Sequence, residues 1–297
     1  MLSTEKTPPL NPESSQPAAE RSGLPGYAAE MADFHQEFAV ELRGLVDKIP
    51  FPPHARVLDV GSGDGFYTDE LADRLDPTGC VVALDVNRAF LRLARRQTTA
   101  RCRVAFVQGR LRDFPAEEKF DVVWSAQSLY SLPEPVSALR DMARLTKPGG
   151  LVAILENDSL HHLLLPWPIH IELAVRTAEY AALQDETEHA DKYYVGRRLW
   201  ALLAEAGLQP EGFQTQCIHR HAPLSPSLER FVTAYLHRLG ERVAPRLNPT
   251  TAREFQALIS PCGSDFLLHQ PHAAIGMVNL LAWGRKPEDS SYLTSSS

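Results

Sequence analysis

The sequence is poor in cysteine, has no long apolar run and carries no excess of positive charge. Its four cysteines, at positions 80, 102, 217 and 262 of 297, show no Cys-x-x-Cys spacing. This pattern excludes a disulfide scaffold and a cysteine-based zinc site, and it favours a reduced, cytoplasmic protein. The formal net charge of −7 argues against a general binder of polyanions.

No segment approaches the roughly 20 apolar residues that a membrane-spanning helix needs. The nearest candidate, LHHLLLPWPIHIELAV at 160–175, is interrupted by histidines, two prolines and Glu172. Residues 1–26 are rich in Pro, Ser and Glu and lack the features of a secretory signal. We expect disordered tails at 1–26 and 286–297, with one domain at 27–285 between them.

Short β-rich runs alternate with helical patterns in the first half of the chain. A helix is predicted over 27–49, and strands are predicted at ARVLDV, GCVVALDV, CRVAFVQG, KFDVVWSA and LVAILEN. KPGG, before the last of these, predicts a turn. The alternation predicts right-handed crossovers and an α/β, doubly wound, mostly parallel, Rossmann-like sheet with its core at about 50–156.

The second half of the chain is richer in helical patterns. One helix is predicted over 194–208, and further helical segments occupy 161–183 and 227–259. The runs at 211–224 and 272–286 predict two more strands, for a sheet of the seven-stranded type. We expect the helical segments at about 157–191 and 226–263 to form a cap over that sheet.

The segment RVLDVGSGDGFYTDEL places Asp59, Gly61, Gly63 and Gly65 between a strand and a helix. Glycines at the carboxyl end of a strand let the backbone approach a ligand and adopt positive φ angles. The spacing is GxGxG and not the GxGxxG of dinucleotide-binding proteins, which argues against a nicotinamide-dependent dehydrogenase. Asp85 ends the second strand, where a carboxylate can accept hydrogen bonds from ribose hydroxyls.

The motifs VLDVGSGDG, VVALDVN, FDVVWSAQSLYSL and LTKPGGLVAILE, in this order, resemble those of class I S-adenosylmethionine-dependent methyltransferases. GRRL…EAGL at 196–208 is similar to a helix of quinone and natural-product methyltransferases. The resemblance implies methyl transfer from S-adenosylmethionine to a small acceptor, on O, C or N, by direct in-line displacement. In that reaction the protein mainly positions the reactants and excludes water.

The resemblance also implies residue roles. The methionine and ribose end of the cofactor would contact Asp59, Gly61, Ser62, Gly63 and Gly65. Asp85 would bind the ribose hydroxyls, and Val86 would contact the adenine. The adenine edge would lie along Gly109, Arg110 and Leu111, and the sulfonium and acceptor would lie beside Ser125, Ala126 and Gln127.

One position departs from the family pattern. Arg110 stands where the family often has an acid, and a guanidinium cannot accept a hydrogen bond from the adenine amino group. Asp113 or the Leu111 backbone is the replacement that we expect.

Candidate acceptor contacts are His162, just past the fifth strand, and Tyr130, just past the fourth. An aromatic pocket that contains histidine suits a flat or apolar small molecule with an ionisable hydroxyl or carbon acid. The adjacent pair His161–His162 and the His219–His221 segment lack the spacing of a metal site, so no metal is expected.

Two other functions stay open. A methyltransferase-like fold without catalysis could serve as a binding or assembly protein, which Arg110 favours and the intact glycine motif disfavours. A nucleic-acid methyltransferase is the second, because eight arginines and no acid lie between Val86 and Arg112. WSAQ in place of an (Asn/Asp)-Pro-Pro-(Tyr/Phe) motif disfavours it. We expect a monomer or a homodimer.

Overall fold

The computed structural model describes residues 23–115, 117, 119–157 and 162–288. The predicted tails therefore fall almost wholly outside the described residues, as does His161. Within these ranges no helix is long and apolar enough to cross a bilayer.

One sheet of seven strands organises the described part of the chain. Its strands are Arg56–Val60 (β1), Cys80–Asp85 (β2), Arg103–Gln108 (β3), Phe120–Ala126 (β4), Thr146–Asn157 (β5), Gln209–His221 (β6) and Ala274–Arg285 (β7). The spatial order is β3-β2-β1-β4-β5-β7-β6. Strands β1 to β5 run parallel, and β7 runs antiparallel to both β5 and β6. The predicted doubly wound, mostly parallel seven-stranded fold is confirmed.

Eight α-helices connect and cover these strands in the described residues. They are Ala28–Val46 (α1), Phe66–Ala72 (α2), Arg88–Gln97 (α3), Pro135–Leu145 (α4), Ile169–Glu186 (α5), Leu199–Glu205 (α6), Pro226–Val243 (α7) and Pro249–Ile259 (α8). Polar side chains cap several of them. Asn87 accepts hydrogen bonds from the amides of Ala89 and Phe90 at the start of α3, and Ser225 accepts one from Leu228 at the start of α7.

Two local predictions need correction. KPGG is not a turn before the strand but an irregular part of β5: the pairing moves from Phe120↔Thr146 to Val122↔Leu151. The extra residues of β5 form an irregularity of the bulge type, and the backbones of Gly149 and Gly150 bond to that of Lys286. The helix predicted over 194–208 is a 3₁₀ segment over Ala190–Arg198 followed by the short α6.

Each face of the sheet packs its own core. On one face α1, α2, α5, α7 and α8 bury a cluster that includes Phe38, Trp124 and Phe231. On the other face α4 and α6 bury a smaller cluster around Leu58 and Leu139. We call the face of the sheet that packs against α1, α2, α5, α7 and α8 the α1/α7 face. The predicted division into a core and a cap at 157–191 and 226–263 stays a prediction.

Candidate functional site

A glycine loop follows β1 at the carboxyl edge of the sheet. Gly61, Gly63 and Gly65 have φ angles of 72°, 53° and 90°, all in the left-handed region. The amides of Gly61 and Ser62 donate hydrogen bonds to the Leu84 carbonyl oxygen at the end of β2. The loop is therefore fixed to the neighbouring strand.

Two of these glycines also permit close approach of other segments. A Cβ atom on Gly61 would lie 2.6 Å from Ser128 Oγ, and one on Gly65 would lie 2.6 Å from Ala94 Cβ in α3. Only glycine fits both the backbone angles and the space at these positions.

Asp59 lies beneath the loop, 1% exposed, and accepts a hydrogen bond from Thr68 Oγ1 at 2.6 Å. Burial, together with the charges of Asp85 and Asp64, raises the pKa of Asp59 to about 7. A buried acid of this kind is stabilised in its charged form when a cation lies beside it. The position of Asp59 therefore suits the positively charged ammonium end of a ligand.

Asp85 ends β2 and is held by the backbone. Its Oδ2 atom accepts a hydrogen bond from the Gly63 amide at 2.9 Å, and its Oδ1 atom accepts one from the Asn87 amide at 2.7 Å. A carboxylate has about four acceptor positions, so the side chain keeps capacity for ribose hydroxyls. Val86, the next residue, is 63% exposed and presents an apolar surface.

The segment after β3 contains the position that departs from the family pattern. Arg110 is exposed, Leu111 is buried, and Leu111–Asp113 form a 3₁₀ turn. A groove of about 590 Å³ runs along β2 and β3, and Gly109, Arg110 and Asp113 contribute to its lining. The Asp113 amide donates a hydrogen bond to the Arg110 carbonyl oxygen in this turn, and the role expected of its side chain stays a prediction.

The end of β4 is bound tightly to β1. Ser125 Oγ and Ser128 Oγ both donate to the Val60 carbonyl oxygen, at 3.2 and 3.1 Å. Gln127 has a φ angle of 50°, which is uncommon for a residue other than glycine. Such strain is frequent at ligand sites.

Two buried polar atoms at these loops have no hydrogen-bond partner within the described residues. They are Ser62 Oγ in the glycine loop and Gln127 Nε2 after β4. Buried polar atoms are normally paired, so these two are the ones that a ligand would satisfy. The three glycines of the loop, the carboxylates of Asp59 and Asp85 and the two unpaired polar atoms fit S-adenosylmethionine.

Glu156 was not predicted as a functional residue. It is 1% exposed near the end of β5, and its Oε1 atom accepts a hydrogen bond from the Leu129 amide at 2.6 Å. Burial raises the pKa of Glu156 to about 8, although the amides of residues 128–130 oppose the rise. This acid holds the 3₁₀ turn Leu129–Ser131 in place. The available signal was an acid at the end of the apolar run LVAIL.

Helix α1 covers the glycine loop, which the sequence did not predict. Met31 lies 3.5 Å from the place of a Cβ atom on Gly63. His35 is 7% exposed, and its Nδ1 atom lies 3.0 Å from Asp64 Oδ2. The His35 ring stacks on Phe66 with 4.4 Å between centroids. The helix therefore covers the loop at Gly63 and Asp64, whereas Gly61 stays exposed.

The two acceptor candidates lie on different elements. His162 Nδ1 is 2.9 Å from Asn157 Nδ2, and its ring lies 5.5 Å from Tyr235 and 6.1 Å from Phe231. Burial, and then the charge of Arg176, lowers the pKa of His162 to about 4, so its imidazole is neutral at pH 7.

Tyr130 is 38% exposed, and its ring lies 6.1 Å from that of Tyr193. Burial of part of the ring, and then the nearby Glu156 carboxyl, raises the pKa of Tyr130 to about 12. Its phenol is therefore a hydrogen-bonding group and not a base at pH 7. The roles of Tyr130 and His162 stay predictions.

Comparison with known proteins gives the same picture. Residues 57–150 match the family model described as a methyltransferase domain. The chain is 31% identical over 170 residues to demethylmenaquinone methyltransferase of Bacillus licheniformis, which spans 53% of this chain and 72% of that enzyme. It is 35% identical over 125 residues to the ubiquinone/menaquinone biosynthesis C-methyltransferase UbiE of Ectopseudomonas mendocina, which spans 41% of this chain and 46% of that enzyme.

Solved structures share the fold at lower identity. A protein of Bacillus halodurans C-125 has a TM-score of 0.53 with 18% identity, covering 84% of this chain and 99% of its own. The YcgJ protein of Bacillus subtilis has a TM-score of 0.52 with 16% identity, covering 83% of this chain and 98% of its own.

Proposed function

We propose that this chain, which belongs to the class I S-adenosylmethionine-dependent methyltransferase family, methylates a hydroxylated aromatic ring of the quinol type. In this proposal 27–285 act as one methyltransferase unit, and 157–191 with 226–263 form its acceptor-side cap. The predicted tails 1–26 and 286–297 take no part in it.

The donor side follows the resemblance residue by residue. Asp59 and the glycine loop would hold the methionine end, Asp85 the ribose, and Val86 with Leu111 the adenine. When bound, S-adenosylmethionine supplies a methyl group on a positively charged sulfur. Ser125 and Gln127 would lie where that sulfur and the acceptor meet.

The side chains around His162 are mainly aromatic, and this observation carries the proposal. The nearby charged residue, Arg176, is paired with Glu172 and Glu179. His162 is neutral, and its ring lies 6.1 Å from that of Phe231 and 5.5 Å from that of Tyr235. In the neutral imidazole Nδ1 accepts from Asn157 Nδ2, so Nε2 carries the proton and can donate to an oxygen of the acceptor. A flat ring with oxygen substituents fits such surroundings.

These side chains would catalyse by position and not by acid–base chemistry. His162 and Tyr130 are both neutral at pH 7, and neither is placed to remove a proton at that pH. An electron-rich ring would form its bond to the methyl carbon as the carbon–sulfur bond breaks, and neutral S-adenosylhomocysteine would leave. The methylated atom would then release its proton to water without a protein base. Helix α1 and the cap would exclude water, which otherwise competes for the methyl group.

The direct test supplies tritium-labelled S-adenosylmethionine and 1,4-dihydroxynaphthalene under anaerobic, reducing conditions. We expect label to appear in an organic-extractable product with a new ring methyl group by mass spectrometry. Calorimetric titration with S-adenosylhomocysteine and NAD runs in parallel, and only the first should bind. Binding of S-adenosylhomocysteine without transfer to this acceptor would show that the acceptor class is wrong.

A further inference from the structure

Three carboxamide side chains form a row across adjacent strands on the α1/α7 face. Asn157 of β5 pairs in register with Asn279 of β7, and Asn279 pairs with Gln216 of β6. Strand alternation places these residues on the same face as Leu155, Leu281 and Ile218 respectively, which belong to the buried cluster of that face. We call the three residues the carboxamide row.

The ends of the row are tied to neighbouring elements, and its centre is not. Asn157 Nδ2 contacts His162, and Gln216 Nε2 donates to the Glu41 carbonyl oxygen of α1 at 3.4 Å. Asn279 is 0% exposed, and neither its Oδ1 nor its Nδ2 atom has a hydrogen-bond partner among the described residues. Asn157 Oδ1 and Gln216 Oε1 are also buried without a partner.

Such a group is costly to keep in a core. A buried amide without partners loses its hydrogen bonds to water and gains none, whereas leucine, which branches at the same carbon, has no polar atom to desolvate. Native proteins pair most buried polar atoms, so an exception needs a reason. Ligand binding would explain these unpaired amides, because Asn157 of the row contacts His162, which is a candidate acceptor contact.

The unpaired atoms define what they would bind. Three are carbonyl oxygens that accept, and one is an amide nitrogen that donates. None is charged, so a phosphate or an ammonium group would have no partner of opposite sign. The excess of acceptors selects a group that donates hydrogen bonds, and a hydroxyl does so while a carbonyl or an ether does not.

We propose that the carboxamide row binds the hydroxyl groups of the acceptor, with Asn279 as its central residue, and so selects a reduced, hydroxylated ring over its oxidised or etherified form. This inference rests on the proposed function and names the specificity-determining residues of the same site. Asn279 acts as a positioning residue that orients the ring beneath His162, Phe231 and Tyr235.

The test compares two probes of the same ring. With S-adenosylhomocysteine bound and oxygen excluded, calorimetry measures the affinity for 1,4-dihydroxynaphthalene and for 1,4-dimethoxynaphthalene, which can accept hydrogen bonds but cannot donate them. We expect the wild-type protein to prefer the dihydroxy probe by about 10-fold or more, as for other hydrogen-bonded hydroxyls. In Asn279→Leu this preference should fall to about 1, and affinity for S-adenosylhomocysteine should not change.

Gln214→Leu is the matched control. Gln214 lies on the same face of β6, two residues from the row, and its Nε2 atom donates to the neighbouring Thr215 carbonyl oxygen. Its substitution should leave the preference for the dihydroxy probe intact.

Thermal melting distinguishes a role of Asn279 in ligand recognition from a role in stability. Asn279→Leu should melt at the same or a higher temperature, because leucine removes an unpaired amide from the core.

Each outcome decides something different. A preference that persists in Asn279→Leu, or a variant that melts much lower or does not fold, overturns this inference and leaves the proposed function standing. If the wild-type protein binds S-adenosylhomocysteine but neither probe, the quinol-type acceptor fails and this inference fails with it.

Discussion

The acidic side chains near the C-terminal ends of β1, β2 and β5 differ sharply in their surroundings. Asp59 and Glu156 are buried, and burial raises the pKa of both. Asp85 is partly exposed and is held by two backbone amides. These differences lead to separate expectations for binding and for stability.

Substitution of Asp85 should weaken cofactor binding. Alanine would also remove the acceptor of the Gly63 and Asn87 amides, so Asp85→Asn, which keeps one oxygen, is the cleaner variant. Loss of a charge-assisted bond to the ribose should raise the Kd for S-adenosylhomocysteine by about 10- to 100-fold. Titration calorimetry measures this, with Asp73→Asn as the control, because Asp73 is an exposed acid at the end of α2 opposite the glycine loop. An unchanged Kd would contradict the assignment of the ribose site.

Glu156 should make the protein less stable as the pH rises. The folded state holds the proton of this carboxyl with a pKa of about 8, against the ordinary glutamate value of 4.5. The stabilisation is therefore fully present below pH 4.5 and is lost as the pH rises towards 8. The wild-type protein should lose up to about 5 kcal/mol of unfolding free energy over that range through this group, and Glu156→Gln should abolish that loss.

Denaturant melts at several pH values measure the slope. Near pH 4.5 the wild-type and Glu156→Gln proteins should differ least, which serves as an internal control. Parallel slopes for the two proteins would show that Glu156 ionises as it does in the unfolded chain.

At the scale of elements, the packing of α2 against α3 depends on one glycine. Gly65 precedes α2 with a φ angle of 90°, and the nearest backbone atom to an added Cβ would be Ala94 Cα of α3 at 3.1 Å. The two helices that flank β2 meet at this point. Gly65 is also the last residue of the glycine loop, so the distance between α2 and α3 fixes the position of that end of the loop.

Gly65→Ala should destabilise the protein by about 2–3 kcal/mol, because it combines an unfavourable φ angle with a steric clash. The control is Gly44→Ala in α1, where an added Cβ meets nothing within 4 Å. There alanine should stabilise by up to about 1 kcal/mol. Chemical denaturation of both variants gives the comparison, and equal effects would refute this account of Gly65.

At the scale of the whole molecule, α1 joins the start of the chain to its last third. Glu37 accepts hydrogen bonds from Arg220 Nε at 2.9 Å, from Ser227 Oγ at 2.9 Å and from Ser225 Oγ. Although burial opposes it, these bonds hold the pKa of Glu37 below its usual value. The helix that covers the glycine loop is thus attached to β6 and α7.

Glu37→Ala should lower the free energy of unfolding by about 2–3 kcal/mol, because three donors lose their common acceptor. Asp33→Ala on the same helix is the control, since Asp33 pairs with the mostly exposed Arg230 of α7 and should cost under about 1 kcal/mol. Thermal and chemical melts decide between them. Equal losses in the two variants would mean that α1 is not anchored through Glu37.

Local sequence was enough to predict most of the strands and helices, and it is the basis of the residues proposed for the donor side of the site. Apolar runs that alternate with helical patterns predict the strands, and the glycine spacing predicts the loop after β1. Asp85 comes directly after an apolar run, so its place at the end of a strand follows from its neighbours in the chain. Parallel strands bring their carboxyl ends to one edge, so the residues at those ends share a site. For this reason the order of the motifs was enough to predict the sheet and the family.

Only the tertiary structure decided the coverage of the loop, the burial of Glu156 and the carboxamide row. Met31 and His35 meet the glycine loop because α1 packs across it, and Asn157, Asn279 and Gln216 meet because β7 lies between β5 and β6. No local pattern marks such pairs, since their members lie far apart in the chain. This packing, and not the residue type, decides which carboxyl and amide groups are buried. Burial in turn sets the pKa of Glu156 and leaves the amide of Asn279 without partners among the described residues.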